Sequence, residues 1–361
     1  MVCEFALVME LTQPCPVVER CGGCPLLLRT GTDEHSIKLA ALQQLHMTTR
    51  LSNSRPELVA GKSRVGYRNR IRLRIDESGQ IAFFNSEKSS ECAVLLPELR
   101  QYVARLRDWS NVHRAALVPF AHLEARASDC NGNFGLFLTY QPTLTAPESK
   151  INDIAPSFAN QCVATNLDAT VPHQRFDIDG ATVQYVPLDG FLQVNFEVNR
   201  LLTEHVVRGA IARDLCDFAD LYCGSGNFAL PLARARLLGQ GVERVASCRT
   251  AAVQAAREQG LDGVTFSEGD SIDAAARWLA NGQRFDLVVV DPPRAGIRYG
   301  LDHVAMLAKR CIVYCSCNPV SLLRDLGVLR QAGWHVDQLT GFDLFPGTIH
   351  LEVVAWLSRM R

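Results

Sequence analysis

No apolar run in this chain of 361 residues approaches the ~20 residues that a membrane-spanning helix needs. The N-terminus carries Glu4 and Glu10 and no basic region, so nothing there reads as a secretion signal. There is also no charge excess. The net charge of −1 means that a polyanionic partner has to be held by local patches and not by the overall field. Internal repeats and low-complexity tracts are missing too, which argues against solenoids and disordered arrays. An apolar fraction of 47% and a charged fraction of 21% describe an ordinary globular protein, and the length suggests two or three domains.

Cysteine, by contrast, is abundant. Thirteen is an odd number, and in a long chain without a secretion signal it points to metal binding or catalysis in a reducing compartment, not to a disulfide scaffold. Cys15, Cys21 and Cys24 form C-x5-C-x2-C, with Gly22-Gly23 letting the backbone wrap close to a common centre. Three thiolates leave such a site one ligand short, and Cys92 is the nearest candidate for the fourth. Four cysteines suit either zinc or an iron–sulfur cluster, and the spacing does not choose between them.

Residues 36–51 predict a helix with Ile37, Ala41 and Leu45 on one side. In Tyr67–Ile75, alternation puts Ile71, Leu73 and Ile75 on one strand face and Arg68, Arg70, Arg72 and Arg74 on the other. No acid interleaves these arginines, so they predict a phosphate-binding face. The chain then turns at Ser78-Gly79, and Ile81–Phe84 is expected to return as the paired strand. Between 100 and 190, short apolar runs such as Phe134–Tyr140 suggest further strands of a β-rich domain, with loops at Pro142, Pro147 and Pro156.

The C-terminal half changes character. Asp217–Tyr222 reads as a strand, followed by the loop Cys223-Gly224-Ser225-Gly226-Asn227 and a helix, which is the first unit of a Rossmann-like fold. Glu243 stands about 20 residues on, at the end of the next strand, where an acid accepts from ribose hydroxyls. Phe285–Val290 is a buried parallel strand ending in Asp291-Pro292-Pro293-Arg294. Cys311-Ile312-Val313 is another, ending in Tyr314-Cys315-Ser316-Cys317-Asn318-Pro319. A cysteine on a loop just past a strand end lies where such sheets bind ligands.

These motifs, together with Phe191-Leu192-Gln193-Val194-Asn195 and Phe345–Glu352, closely resemble the RNA 5-methyluridine methyltransferases, in particular the iron–sulfur type acting on 23S ribosomal RNA. The resemblance implies an α/β fold: a Rossmann-like class I methyltransferase domain at 191–361 and a smaller β-rich central domain at 56–190 that binds RNA. It also implies a cysteine segment at 1–25 and a helical segment at 26–55 packing on the methyltransferase domain. It makes Cys317 the nucleophile and Glu352 the base. Gln193, Tyr222, Gly224, Asn227, Glu243, Asp270 and Asp291 would line the S-adenosylmethionine and uracil sites, and Cys15, Cys21, Cys24 and Cys92 would hold a 4Fe–4S cluster. Arg68, Arg70, Arg72, Arg74 and Phe191 are the candidate RNA contacts.

The implied protein is a cytoplasmic, monomeric enzyme without membrane contact. Its expected substrate is 23S ribosomal RNA, with the T-loop uridine of tRNA as the alternative, and an inactive iron–sulfur RNA-binding protein as a further one. Cytosine enzymes of related fold carry a second cysteine in the Asp-Pro-Pro region; Asp291–Arg294 has none, so uracil is favoured. Two departures stand out. Only 14 residues precede Cys15, leaving no room for the small RNA-binding module many members begin with, and Arg244–Arg249 lacks the family's usual proline and acid.

Overall fold

The computed structural model describes residues 15–49, 55–82, 92–128, 133–141 and 161–359. Phe83, Phe84, Pro142, Pro147 and Pro156 therefore lie outside the described residues.

The strands are β1 (Glu57–Ala60), β2 (Arg70–Ile75), β3 (Ile81–Ala82), β4 (Phe120–Ala127), β5 (Phe134–Tyr140), β6 (Gln161–Thr165), β7 (His173–Asp177) and β8 (Val183–Pro187), then β9 (Asp217–Leu221), β10 (Leu238–Glu243), β11 (Val264–Glu268), β12 (Phe285–Val290), β13 (Ala308–Ser316), β14 (Trp334–Asp343) and β15 (Glu352–Arg359). Eight of them form one sheet in the order β1-β14-β15-β13-β12-β9-β10-β11. All its neighbours are parallel except where β15 runs between β13 and β14. The strand sequences dictate this burial: β12 is Phe-Asp-Leu-Val-Val-Val, with its last four residues fully buried, as a strand covered on both faces must be. Strand order reverses between β9 and β12, and the crevice at that reversal is where an open α/β sheet takes its ligand.

A five-stranded sheet, β3-β2-β4-β5-β6, makes the smaller domain. The helix Pro97–Val112 closes its apolar face through Leu99, Tyr102, Val103 and Leu106.

Three expectations from the sequence shift. The helix spans Gly31–Thr49 and buries Glu34, Lys38, Leu42 and Leu45, while Ile37 is exposed. Its buried stripe is thus one residue out of step with the apolar pattern, because two of the core positions are charged. Strand β1, grouped by sequence with the central domain, pairs with β14 and is the edge strand of the large sheet. The β7–β8 hairpin forms a sheet of its own and bridges the domains: Ser128 Oγ and Arg126, at the end of β4, donate to the Arg175 and Pro187 carbonyls. Tyr185 donates to Glu258, and Gln259 holds both the N–H and the carbonyl of Val183, which pins the hairpin on the helix Ala246–Glu258 of the large domain. No helix among the described residues is long and apolar enough to cross a membrane.

Candidate active site

At the crevice, β9 ends in Tyr222, a non-glycine residue at φ 66°, with its N–H held by Ser271 Oγ at 2.9 Å. Such a conformation costs free energy and persists only where the surroundings enforce it. Gly224 and Gly226 follow at φ 54° and 89°. At Gly226 a Cβ would strike Leu230, so only glycine lets this loop turn against the helix Ala229–Arg234. The pocket formed here is lined by Gln193, Tyr222, Gly224, Asn227 and Asp291, which joins five of the sequence-derived cofactor residues.

Glu243 reaches the loop from β10, accepting from the N–H groups of Gly224 at 3.0 Å and Val245 at 2.8 Å. Asp270 caps the helix Ser271–Ala280 through Ile272 and Asp273, and its other oxygen accepts from the Tyr299 hydroxyl at 3.4 Å. Both acids shape the pocket rim and do not line the pocket itself. Asn199 was missed by the sequence reading. It comes from the helix Phe196–Ala212 and exchanges two side-chain hydrogen bonds with Asn227, at 2.9 and 3.1 Å. Only the helical register, with Asn195 as its N-cap, could have pointed to it.

Cys317 follows β13 directly. Asn318 accepts from Val320 N–H as N-cap of the helix Pro319–Gln331, and donates to the Arg294 carbonyl, as does Ser321 Oγ. Buried Asp325, bonded to the Tyr314 hydroxyl, accepts from Ile297 N–H at 2.8 Å. The Cys317 loop and the Asp291–Arg294 loop are thereby fastened together. Glu352 opens β15, and Asp291 ends β12 on the other side of β13.

The electrostatics follow from burial. The Cys317 thiol is pushed up to about 11, by burial first and then by Glu352, while Arg294 pulls it back. Glu352, buried and beside Asp291, is held well above the usual carboxylate range. Asp291 is raised to about 6 by burial. Asp220, completely buried in β9, is also raised by burial and by Asp291.

The cysteines converge as well. Cys15, Cys21, Cys24 and Cys92 line one hollow walled by Val17, Val18, Leu27 and Val94. Cys24 is pushed up to about 12 by burial and by the other three thiols, Cys92 foremost. Among the described residues, no group of three or more His, Cys, Asp or Glu side chains is arranged to hold a metal ion.

The four arginines do not form one open row. Arg68 precedes β2 and its charge acts on Cys24 and Cys92. Arg70 is partly buried, lying 5.2 Å over the ring of Phe191 and 3.8 Å from Glu124. Only Arg72 and Arg74 are exposed. The acid missing from the arginine run itself arrives from the next strand: Glu124, opposite Arg72 in register, binds Arg126 at 2.6 Å and lies 3.8 Å from Arg70. Phe191, 62% exposed, stands at the pocket mouth.

Comparison with known proteins fits this geometry. The family model for tRNA (Uracil-5-)-methyltransferase matches residues 142–264 and 279–360. The 23S rRNA (uracil(1939)-C(5))-methyltransferase RlmD of Edwardsiella ictaluri is 31% identical over 359 residues, covering 94% of this chain and 80% of that protein. Its counterpart from Pectobacterium atrosepticum is 32% identical over 364 residues, covering 95% and 79%. Among solved structures, the Pyrococcus abyssi tRNA (uracil-54, C5)-methyltransferase in complex with S-adenosyl-L-homocysteine has the same fold. Its TM-score is 0.68 at 21% identity, over 89% of this chain and 83% of that one. With Cys317, Glu352 and Asp291 gathered at one sheet edge beside the β9 crevice, the chain belongs to the RNA uracil-C5 methyltransferase family.

Proposed function

We propose that this protein transfers the methyl group of S-adenosylmethionine to C5 of a uridine in 23S-type ribosomal RNA, through a covalent adduct between Cys317 and C6. The observation that carries the reading is that Cys317, one residue past β13, and Glu352, the first residue of β15, stand at the same end of two paired strands, Ser316 opposite Val353, with Asp291 of the cofactor crevice after neighbouring β12. C5 of uracil is a weak nucleophile, so the reaction needs a thiolate and, separately, a base. The Cys317 thiolate adds to C6 and the C5=C6 electrons move toward O4. C5 then takes the methyl group and S-adenosylhomocysteine leaves. Glu352 removes the C5 proton, the C5=C6 bond reforms, and the thiolate departs. Asp291, raised and set between cofactor loop and base, orients the uracil. A stacked base hides C6, so the uridine has to leave its stack. Phe191, backed by the Arg70 guanidinium, offers an aromatic platform for it, and Arg72 and Arg74 offer charge to the displaced strand.

The ribosomal substrate is supported by what the relatives of 31% and 32% identity are named for. The reading includes action in the cytoplasm, where ribosomal RNA is matured, by a single chain.

The same reading includes a 4Fe–4S cluster held by Cys15, Cys21, Cys24 and Cys92. Its support is the convergence of four thiols on one apolar hollow. A cubane is wider than a single ion, so its ligands stand farther apart than the thiolates around one zinc at about 2.3 Å. When bound, the cluster would tie the cysteine segment to Cys92 of the central domain. Anaerobically purified protein should be brown, with about four iron and four sulfide per chain. Zinc without acid-labile sulfide rejects this part alone.

RNA carrying 5-fluorouridine at the target should form a denaturation-resistant complex, since fluorine cannot leave as a proton. Cys317→Ala should abolish that complex, and Glu352→Gln should accumulate an adduct on unmodified RNA. A Cys317→Ala protein that still crosslinks rejects the assignment. Methylation of tRNA with no activity on ribosomal RNA would move the substrate and keep the chemistry.

A further inference from the structure

The loop between β14 and β15 leads into Glu352, the first residue of β15, and the N-terminal segment together with Tyr67 grips three consecutive residues near its start. Lys38 Nζ donates to the Phe345 carbonyl at 3.2 Å. The Tyr67 hydroxyl donates to the Pro346 carbonyl at 3.0 Å. Gly347 donates its N–H to Glu34 Oε1 at 2.6 Å and accepts from Leu26 N–H at 2.8 Å. Gly347 sits at φ 82°, where a Cβ would meet Leu27 and the Cβ of Cys24, so the backbones are as close as glycine allows.

Behind this grip lies a set of four charges, three of them buried (Glu34, Lys38 and Asp343) and the fourth, Arg64, partly exposed. Lys38, 1% exposed, bonds Glu34 at 2.8 Å and Asp343 at 2.6 Å. Glu34, 2% exposed, takes Arg64 on its other oxygen, and Arg64 also donates to the Leu26 and Arg29 carbonyls. Buried ion sets are poor providers of stability compared with apolar side chains of the same size. This one ends on two backbones, that of Leu26 and Arg29 and that of the Phe345–Gly347 turn, and so couples the N-terminal segment to the catalytic loop.

We propose that Glu34 is a positioning residue for the deprotonation step: it fixes the Phe345–Gly347 turn and so sets where the Glu352 carboxylate stands relative to the C5 proton. The inference rests on Glu352 being the base. Its consequence is selective. Cys317 belongs to the β13 loop, which is fastened to the Asp291–Arg294 loop, whereas the Phe345–Gly347 turn is held by Glu34, Lys38, Tyr67 and Leu26; the two sides join only through the β13–β15 ladder, where Ser316 lies opposite Val353. Loosening the turn should therefore slow proton removal and leave adduct formation alone, and a misplacement of about 1 Å is enough to cost about 100-fold.

The test measures two rates in each variant: formation of the denaturation-resistant complex with 5-fluorouridine RNA, and release of tritium from C5 of unmodified RNA. Glu34→Ala should keep the first within about threefold and slow the second by at least about tenfold. Glu34→Gln keeps an oxygen for Gly347 N–H and should recover most of the release rate. Tyr67→Phe, which deletes one hydroxyl, should show the same split more mildly, and it decides the matter if Glu34→Ala does not fold. Glu352→Gln separates the two claims. If it fails to trap an adduct on unmodified RNA, the base assignment is wrong. If it traps one while Glu34→Ala and Tyr67→Phe either leave tritium release unchanged or lose both rates equally, Glu34 is only structural.

Discussion

Asp291 stands close enough to Glu352 that its charge adds to burial in raising Glu352 above the usual carboxylate range, across the end of the strand that delivers Cys317. The free enzyme therefore rests with its nucleophile as a thiol, and its base gives up a proton less readily than an ordinary carboxylic acid. Both must ionise during the cycle.

Adduct formation should accordingly climb with pH. With the Cys317 thiol at about 11, its thiolate fraction rises about tenfold per pH unit through the neutral range. Single-turnover complex formation with 5-fluorouridine RNA between pH 6 and 9 checks this, and a flat profile would mean that bound RNA already ionises the thiol. Asp291→Asn removes the neighbouring charge from Glu352. Whatever else that costs, the pH dependence of C5 tritium release should move to lower pH.

Asp220 makes a prediction about stability instead. Its folded value is raised, so its contribution is complete below the unfolded value of about 4 and is lost as pH rises toward the folded one. Asp220→Asn has no such loss. The difference in stability, variant minus wild type, should grow in the variant's favour by up to about 1.4 kcal/mol per pH unit above pH 4. Thermal unfolding of ligand-free protein at pH 5 and pH 8 measures it.

Asn199→Ala strands the amide of Asn227 at the cofactor pocket. Asn227 is half-buried and loses the partner that fixes its orientation toward the pocket, a hydrogen bond worth about 1 kcal/mol, so S-adenosylmethionine should bind several-fold more weakly by calorimetry. RNA affinity should be unchanged, because Asn199 lies inside the pocket and not on the outer strand face.

Charge reversal at Arg72 and Arg74 should do the opposite, weakening RNA binding and leaving cofactor affinity intact. The slope of log affinity against log salt should fall by about one for each phosphate left unneutralised. Arg68, turned toward the cysteines, should contribute nothing to that slope.

The large sheet was legible because its strands are continuous apolar runs and its functional residues sit at their ends, where Gly-x-Gly, Asp-Pro-Pro and Cys-Asn-Pro interrupt the pattern. The helix Gly31–Thr49 was misphased for the opposite reason. Glu34 and Lys38 occupy core positions, and periodicity counts apolar residues, not buried ones. The alternation of the arginine strand holds from Arg70 to Ile75, with Arg68 outside it, but its acidic partner has no local signal, since Glu124 lies more than 50 residues away and comes beside Arg70 only once the sheet forms. The Asn199–Asn227 pair joins a helix to a loop and has no local signature. The placement of β1 could not be seen either, for its four residues carry no mark of the strand they pair with.

That edge strand has a consequence for how the protein is made. Glu57 of β1 leaves the ribosome long before Thr340 of β14, its partner, has been synthesised. The catalytic sheet therefore cannot be completed until nearly the whole chain is out, and closing so long a loop makes the last step slow. A fragment starting at residue 191 would hold every cofactor motif and yet leave β14 as a bare, hydrogen-bond-hungry edge, a template for aggregation. Dissection at the apparent domain boundary would yield insoluble material, and the first 60 residues would have to be supplied in trans to rescue it.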